Sequence, residues 1–108
     1  MKKSTPSISV RRSLHKLGMD IRTARLRRDL TMQLVAERAK ISLSTLDKIE
    51  NGDPNVSIGN YSSVFFALNL GTPLADLIDP SNDKLGLMLD LENIPKRART
   101  VRRVKSRE

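Results

Sequence analysis

The sequence predicts an all-α protein in which five helices are followed by one short β-strand. Two observations indicate the helices: apolar residues recur at spacings of three and four, and residues that favour helix starts precede them. A third indicates the strand, because after Pro80 leucines alternate with other residues at period two. The 108 residues are the length of one small domain, so we expect a single core and one main function.

The first three helices are predicted from apolar spacing and from capping residues. Helix one should run from about 13 to 28, with an apolar face made of Leu14, Leu17, Ile21 and Ala24. Thr31 is the predicted N-cap of helix two, which should end near Lys40. Ser42 should cap helix three, which Asn51-Gly52 should end. The side chains expected to face inward from helices two and three are Val35, Ala36, Ala39, Leu46 and Ile49.

Two further helices are predicted before Pro80. Ser57 should cap the fourth, which Gly71 should end and whose buried stripe should be Ile58, Tyr61, Phe65 and Leu68. The fifth should run from Thr72-Pro73 to about Ile78, where Asp79-Pro80 stops it.

The segment after Pro80 is predicted to be a dimerisation strand. Its alternating residues are Leu85, Leu87, Leu89 and Leu91. A lone strand in a helical chain leaves unpaired backbone groups, so its partner should be the same strand of a two-fold related copy in a homodimer. The alternative is a helix with Leu85, Met88 and Leu89 as its stripe, although Gly86 disfavours a helix.

The charge distribution predicts a nucleic acid as partner. The chain has 20 Lys and Arg against 12 Asp and Glu, a net charge of +8. Residues 11–40 carry +6, residues 41–94 carry −6, and residues 95–108 return to +6. Aromatic residues make up only 3%, which argues against single-strand binding by base stacking and favours duplex DNA.

Several function classes are disfavoured by the composition. The chain has no cysteine, which excludes disulfides and thiolate zinc sites, and no apolar run long enough to cross a membrane. His15 has no carboxylate at triad-like spacing, and no glycine-rich phosphate loop is present. We therefore expect a cytoplasmic protein that is not an enzyme, with no catalytic residues, no cofactor and no metal.

One segment resembles a known family. Residues 30–52, LTMQLVAERAKISLSTLDKIENG, are similar without a gap to the XRE/Cro-type helix-turn-helix of phage repressors. The resemblance extends over about residues 14–78 and implies a five-helix, lambda-repressor-like domain whose third helix enters the major groove. The expected organisation is a flexible basic N-terminus at 1–12, the helix-turn-helix DNA-binding domain at 13–80, the dimerisation strand at 81–94 and a disordered basic tail at 95–108.

The sequence departs from the family pattern at three positions. Met32 stands where the family commonly has a glutamine, and Leu43 stands where a long polar residue is frequent. Lys40 replaces the turn glycine, so it must adopt a positive φ or the turn must shift. These departures affect the expected operator sequence and affinity more than the fold.

Contacts with DNA are expected from the exposed face of the third helix. The residues expected to contact bases are Leu43, Ser44, Thr45, Asp47 and Lys48. Leu43 and the Thr45 methyl suit thymine methyl groups, and packing at the turn is an equal alternative for Leu43. Lys48 suits guanine, Asp47 suits cytosine N4, and Ser44 suits either kind of edge. The resemblance implies that Arg22 and Asn51 contact phosphates. The other residues expected to contact phosphates are Gln33, Ser42 and Asn55, with Ser42 also the helix cap.

Two charged residues are expected to have a structural role. Arg25 and Glu50 occupy positions where the family often has an Arg-Glu pair that ties the first helix to the end of the third. We favour a structural ion pair over direct DNA contact for these two residues.

The C-terminal segment resembles a narrower group. Residues 84–97, KLGLMLDLENIPKR, are similar to the tail of HipB-type antitoxins. That resemblance implies an antitoxin and autorepressor that binds an inverted-repeat operator as a dimer and neutralises a HipA-type serine/threonine kinase toxin. The separation of charge along the chain, and not the resemblance, suggests the acidic stretch from Asp76 to Glu92 as the docking surface for such a toxin. The alternative is a stand-alone XRE-family transcriptional repressor.

The basic tail 95–108 has three possible roles, which all remain open: solvated disorder, an arm that binds DNA, and a segment that inserts into a partner.

Overall fold

The computed structural model describes residues 5–93, which fall into two compact units. The first unit runs to Pro73 and the second begins at Leu74. The predicted tail 95–108 lies outside the described residues. Among the helices formed by residues 5–93, none combines the length and the apolar character that a bilayer span requires.

Helix α1 spans Ile8–Arg27 and starts earlier than predicted. The Oγ of Ser7 accepts a hydrogen bond from the backbone N–H of Val10 at 3.4 Å and caps the helix. The expected starting residue, Ser13, lies inside the helix and donates its hydroxyl to the carbonyl of Val10 at 2.7 Å. The predicted flexible N-terminus is therefore helical from Ile8 onward, because capping is satisfied at Ser7 and nothing in the next turn breaks a helix.

Helices α2 (Met32–Ala39) and α3 (Leu43–Glu50) form the helix-turn-helix, and their predicted caps are confirmed. Thr31 Oγ1 accepts from the N–H of Leu34 at 3.1 Å, and Ser42 Oγ accepts from that of Thr45 at 3.0 Å. The side chains predicted to point inward are buried: Val35, Ala36, Ala39, Leu46 and Ile49. The local signals in this part of the chain therefore agree with its packing.

The turn between α2 and α3 places Lys40 in the left-handed region. Its φ is 58° and its ψ is 42°, and its N–H donates to the carbonyls of Ala36 and Glu37. This is the first of the two alternatives that the missing turn glycine left open. Lysine has a Cβ, which this conformation brings close to the following carbonyl oxygen at a cost of about 1–2 kcal/mol.

We expect Lys40→Gly to raise the free energy of unfolding by about 0.5–1 kcal/mol, since glycine removes the Cβ conflict but adds entropy to the unfolded chain. Urea unfolding checks this as a higher midpoint at an unchanged slope. Lys40→Ala is the matched control, because it removes the charge and keeps the Cβ, and it should give no gain. Equal gains in both variants would assign the effect to charge instead of backbone conformation.

Helix α4 spans Ile58–Ala67 and completes the core of the first unit. Ser57 caps it as predicted, with its Oγ accepting from the N–H of Asn60 at 3.2 Å. The largest fully buried side chains come from α2, α3, α4 and the residue that follows α4: Leu46, Ile49, Leu68, Val35 and Val64. Helix α1 packs on α3, and α2 packs on both α3 and α4.

Two details of α4 differ from the prediction. Ile58 fits the apolar stripe but is 69% exposed, and it is the first residue of the helix. The helix ends at Ala67 with Leu68 as its C-cap, and the left-handed residue that stops it is Asn69, whose φ is 64°, and not Gly71. The N–H of Leu70 then bonds the carbonyl of Phe65 at 2.9 Å, as in a Schellman ending.

The second unit consists of short helical pieces. The predicted fifth helix is only a 3₁₀ turn, Pro73–Asp76, and a second 3₁₀ turn follows at Pro80–Asn82. Asp79 caps the second turn, and hydrogen bonds from the hydroxyl and N–H of Ser81 lower the pKa of its carboxyl group. Helix α5 then spans Lys84–Glu92 and contacts the second 3₁₀ turn.

The predicted dimerisation strand is wrong, because Lys84–Glu92 is the helix α5. Asp83 caps it by accepting from the N–H of Gly86 at 2.9 Å, and the missing side chain of Gly86 leaves room for that carboxylate. Leucine, methionine, lysine and glutamate all favour helices, and a helix satisfies its own backbone groups without a second chain. The alternating leucines are thus distributed around a helix, and all are exposed: Leu85, Leu87, Leu89 and Leu91.

Candidate nucleic-acid interface

Helix α3 presents a polar face on the side opposite the core. Leu46 and Ile49 are fully buried, and helical geometry places Ser44, Lys48 and Asn51 on the opposite side, where all three are exposed. Asp47 is also exposed and lies at the edge of this face. The face is short, polar and carried by a rigid element, which is the form a major-groove probe requires.

Leu43 and Thr45 flank this polar face. The Leu43 side chain is 52% exposed, so it is not a core residue at the turn. Thr45 is half-buried, and its Oγ1 lies 2.8 Å from the Oγ of Ser42 within the N-cap of α3. The hydroxyl of Thr45 therefore belongs to the cap, and its methyl group is the part left for an apolar contact.

The residues expected to contact phosphates fall on two sides of α3. On one side, Arg22 and Asn51 line a cavity of about 520 Å³ together with Met32, the residue that departs from the family glutamine. Asn51 is held at the helix end, because its Nδ2 donates to the carbonyl of Asp47 at 2.9 Å. These side chains come from α1, α2 and the end of α3, so the fold brings them together from distant parts of the chain.

On the other side of α3, Asn55 and Lys48 line a smaller groove of about 220 Å³. The N–H of Asn55 donates to the Oδ1 of Asp53 at 2.7 Å, which shapes the loop between α3 and α4. Gln33 is exposed in the first turn of α2, and Ser42 is exposed at the start of α3. Gln33 and Ser42 line neither groove, so the five expected phosphate residues do not form one cluster.

The loop after α3 is anchored by Tyr61. Its hydroxyl donates to the backbone carbonyl of Asp53 at 2.7 Å. Burial, and secondarily the nearby charge of Asp53, raise the pKa of the Tyr61 hydroxyl above its ordinary value. The hydroxyl thus keeps its proton and its hydrogen bond over the neutral range, and the loop carrying Asn55 is held against α4.

Arg25 and Glu50, expected as a structural pair, form a bidentate ion pair. Arg25 Nε donates to Glu50 Oε2 at 2.7 Å and Nη2 donates to Oε1 at 3.1 Å. Arg25 Nη1 also donates to the carbonyl of Leu30 at 3.1 Å. Both residues are less than 10% exposed, so α1, α3 and the start of the turn to α2 are joined by one buried network.

Gly18 has a structural role that the sequence did not predict. A Cβ at this position would lie 2.6 Å from the carbonyl oxygen of Glu50 and 2.7 Å from the nitrogen of Gly52, both backbone atoms. Gly52 has a φ of 72° and lies against the backbone of Leu14 in turn. The two glycines let α1 approach the end of α3 at backbone distance. The sequence does contain a sign of this close approach. A glycine lies between Leu14 and Ile21 on the predicted buried face of a helix, where glycine is otherwise unfavourable.

The comparisons with known proteins agree with the helix-turn-helix part of this description. Residues 21–64 match the family model described as Helix-turn-helix. No curated protein and no solved structure has a significant match to the chain. The family match covers the end of α1 from Ile21, all of α2 and α3, and α4 up to Val64, and it includes nothing of α5.

Proposed function

We propose that this protein is a sequence-specific regulator of transcription that binds double-stranded DNA, because residues 21–64 match the helix-turn-helix family model. The observation that carries the proposal is the exposed polar face of α3, which is opposite the fully buried Leu46 and Ile49. The Arg25–Glu50 pair fixes the end of this helix, so the face is preorganised for a groove.

Each residue on or beside this face has a specific base partner in the proposal. Lys48 donates to guanine O6 and N7, Asp47 accepts from cytosine N4, and Ser44 bonds either kind of edge. Leu43 and the methyl of Thr45 contact thymine methyl groups. The Leu43 side chain is exposed, which favours contact with a thymine methyl group over packing at the turn. The phosphate contacts proposed on either side are Arg22, Gln33, Ser42, Asn51 and Asn55.

The operator in this proposal is an inverted repeat bound by a homodimer. A symmetric dimer places two copies of α3 in successive major grooves about 34 Å apart. Support for dimerisation comes from α5, where Leu85, Leu87, Leu89 and Leu91 are 46–70% exposed. A helix this apolar is unstable in water alone and is stabilised by burial against a second copy. Sedimentation equilibrium of the intact chain checks the stoichiometry.

The narrower antitoxin hypothesis has less support. It depended on a C-terminal strand like that of HipB-type proteins, and Lys84–Glu92 is a helix. We therefore favour the stand-alone repressor, with the HipA-type kinase as the competing partner hypothesis. The acidic residues Asp76, Asp79 and Asp83 are the docking surface under that hypothesis. Affinity capture from the native host distinguishes the two, because only an antitoxin retains a stoichiometric kinase.

Selection from a random duplex library tests DNA recognition directly. We expect the wild type to enrich one inverted repeat, and Lys48→Ala to weaken binding to it by about 1–3 kcal/mol and to relax specificity at one base pair per half-site. Lys84→Ala is the matched control, since it removes the same charge from α5 and should keep the selected sequence. No enriched sequence with the wild type would contradict the proposal.

A further inference from the structure

The N-terminal half of α1 extends beyond the part of the chain that matches the helix-turn-helix model. The match begins at residue 21, whereas α1 begins at Ile8. The extension is not a separate arm, because it continues the same helix past the contact between Gly18 and the end of α3. At 1.5 Å per residue, Arg11 lies about 10 Å along the helix from Gly18.

This extension and the loop after α3 form one open groove of about 710 Å³. Arg11, Arg12 and Lys16 line it from α1, and Asn51, Gly52 and Pro54 line it from the loop. Arg11, Arg12 and Lys16 are all exposed. The groove thus joins a row of cations to Asn51, one of the residues proposed to contact a phosphate beside α3.

The two arginines provide the net charge of this groove. Lys16 Nζ lies 2.7 Å from Asp20 Oδ2, so Lys16 is largely neutralised by its neighbour. Within residues 5–93, neither Arg11 nor Arg12 forms a salt bridge with a carboxylate. Arginine binds phosphate oxygens through its planar set of N–H donors, and a helix holds two neighbouring arginines at a fixed spacing.

We propose that Arg11 and Arg12 bind backbone phosphates of the operator DNA outside the base pairs contacted by α3, which lengthens the DNA footprint at each half-site. This inference rests on the proposed DNA-binding function and adds a surface that the matched domain does not contain. The groove is polyanion-specific and not base-specific, because phosphate contacts position a protein without carrying sequence information.

The salt dependence of operator affinity tests the inference. Log affinity falls linearly with log salt, and each lost phosphate contact reduces the steepness of that fall by about 0.9. Arg11→Ala/Arg12→Ala should therefore make the slope shallower by about 1.8 and leave the selected sequence unchanged. Arg11→Lys/Arg12→Lys should keep most of the slope, since it keeps both charges. Circular dichroism of each variant checks that α1 is intact, which alanine favours.

A charge-matched control and a DNA-length series make the test specific. Arg27→Ala removes a cation from the same helix about 22 Å from Arg12 and should leave the slope nearly unchanged. Adding about one helical turn of flanking duplex to the selected operator should tighten binding by the wild type and not by the double alanine variant. The inference is wrong if the wild type and the double alanine variant bind the operator specifically with the same salt slope and gain equally from the flanking duplex. A wild type that selects no sequence overturns the proposed function itself.

Discussion

Replacing Arg25 with methionine is expected to lower the free energy of unfolding by about 3–5 kcal/mol, because it leaves the buried carboxylate of Glu50 without its partner. Two hydrogen bonds of 2.7 and 3.1 Å to Glu50 are lost, together with the bond to the carbonyl of Leu30. Methionine fills most of the space of the arginine stem, so the loss reports the uncompensated charge more than a cavity. Urea unfolding of the intact chain measures the effect.

The double variant Arg25→Met/Glu50→Leu separates the ion pair from the packing. Removing both charges removes the desolvation cost, so we expect most of the lost stability to return. DNA binding should not return to the same degree, because the pair also fixes the end of α3 against α1. If the double variant is as unstable as Arg25→Met alone, the loss of stability comes from the changed packing of the side chains and not from the unpaired charge of Glu50.

Gly18→Ala is expected to destabilise the protein by about 1–3 kcal/mol, although alanine is the better helix former. The new Cβ would meet the backbone of Glu50 and Gly52 at 2.6–2.8 Å, and backbone atoms cannot move aside as a flexible side chain can. Helix α1 must therefore shift away from α3. Thermal and urea unfolding measure the loss, and operator affinity should fall as well because Asn51 lies between Glu50 and Gly52, the two residues that the new Cβ would meet.

Gly59→Ala is the matched control for the glycine prediction. Gly59 is also helical, but its nearest neighbour for a Cβ is the Oγ of Ser57 at 3.9 Å, an ordinary contact. Helix propensity alone should raise stability there by up to about 1 kcal/mol. Opposite signs at the two positions would assign the effect to the close approach of α1 and α3. If Gly18→Ala stabilises the protein instead, α1 and α3 are not in backbone contact at Gly18.

Predictions that depend on short-range chemistry agree with the structure. Thr31, Ser42 and Ser57 cap the helices that follow them, because an N-cap hydrogen bond joins residues only three apart. The positive φ of Lys40 was one of two outcomes that the missing turn glycine allowed. The Arg25–Glu50 contact was expected from the family resemblance and not from spacing, since 25 residues separate the two side chains.

The failures occurred where the local signal was ambiguous. Ser7 and Ser13 are both capable caps, and only the formed helix shows that Ser7 begins it. The leucines of α5 satisfy period two and also a helix with a wide apolar surface, and a strand would have needed a second chain to pair its backbone. Ile58 fits the stripe of α4 by spacing, but burial depends on what lies opposite.

The sequence by itself determined that the first unit has four main helices, which residues cap α2, α3 and α4, and the basic character of the chain, since these follow from neighbouring residues and from composition. Only the tertiary structure decided that Gly18 brings α1 to backbone distance from α3, and that Arg11 and Arg12 line one groove with Asn51. The physical reason is that such contacts join residues distant in the chain, so they depend on how helices pack and not on any local preference.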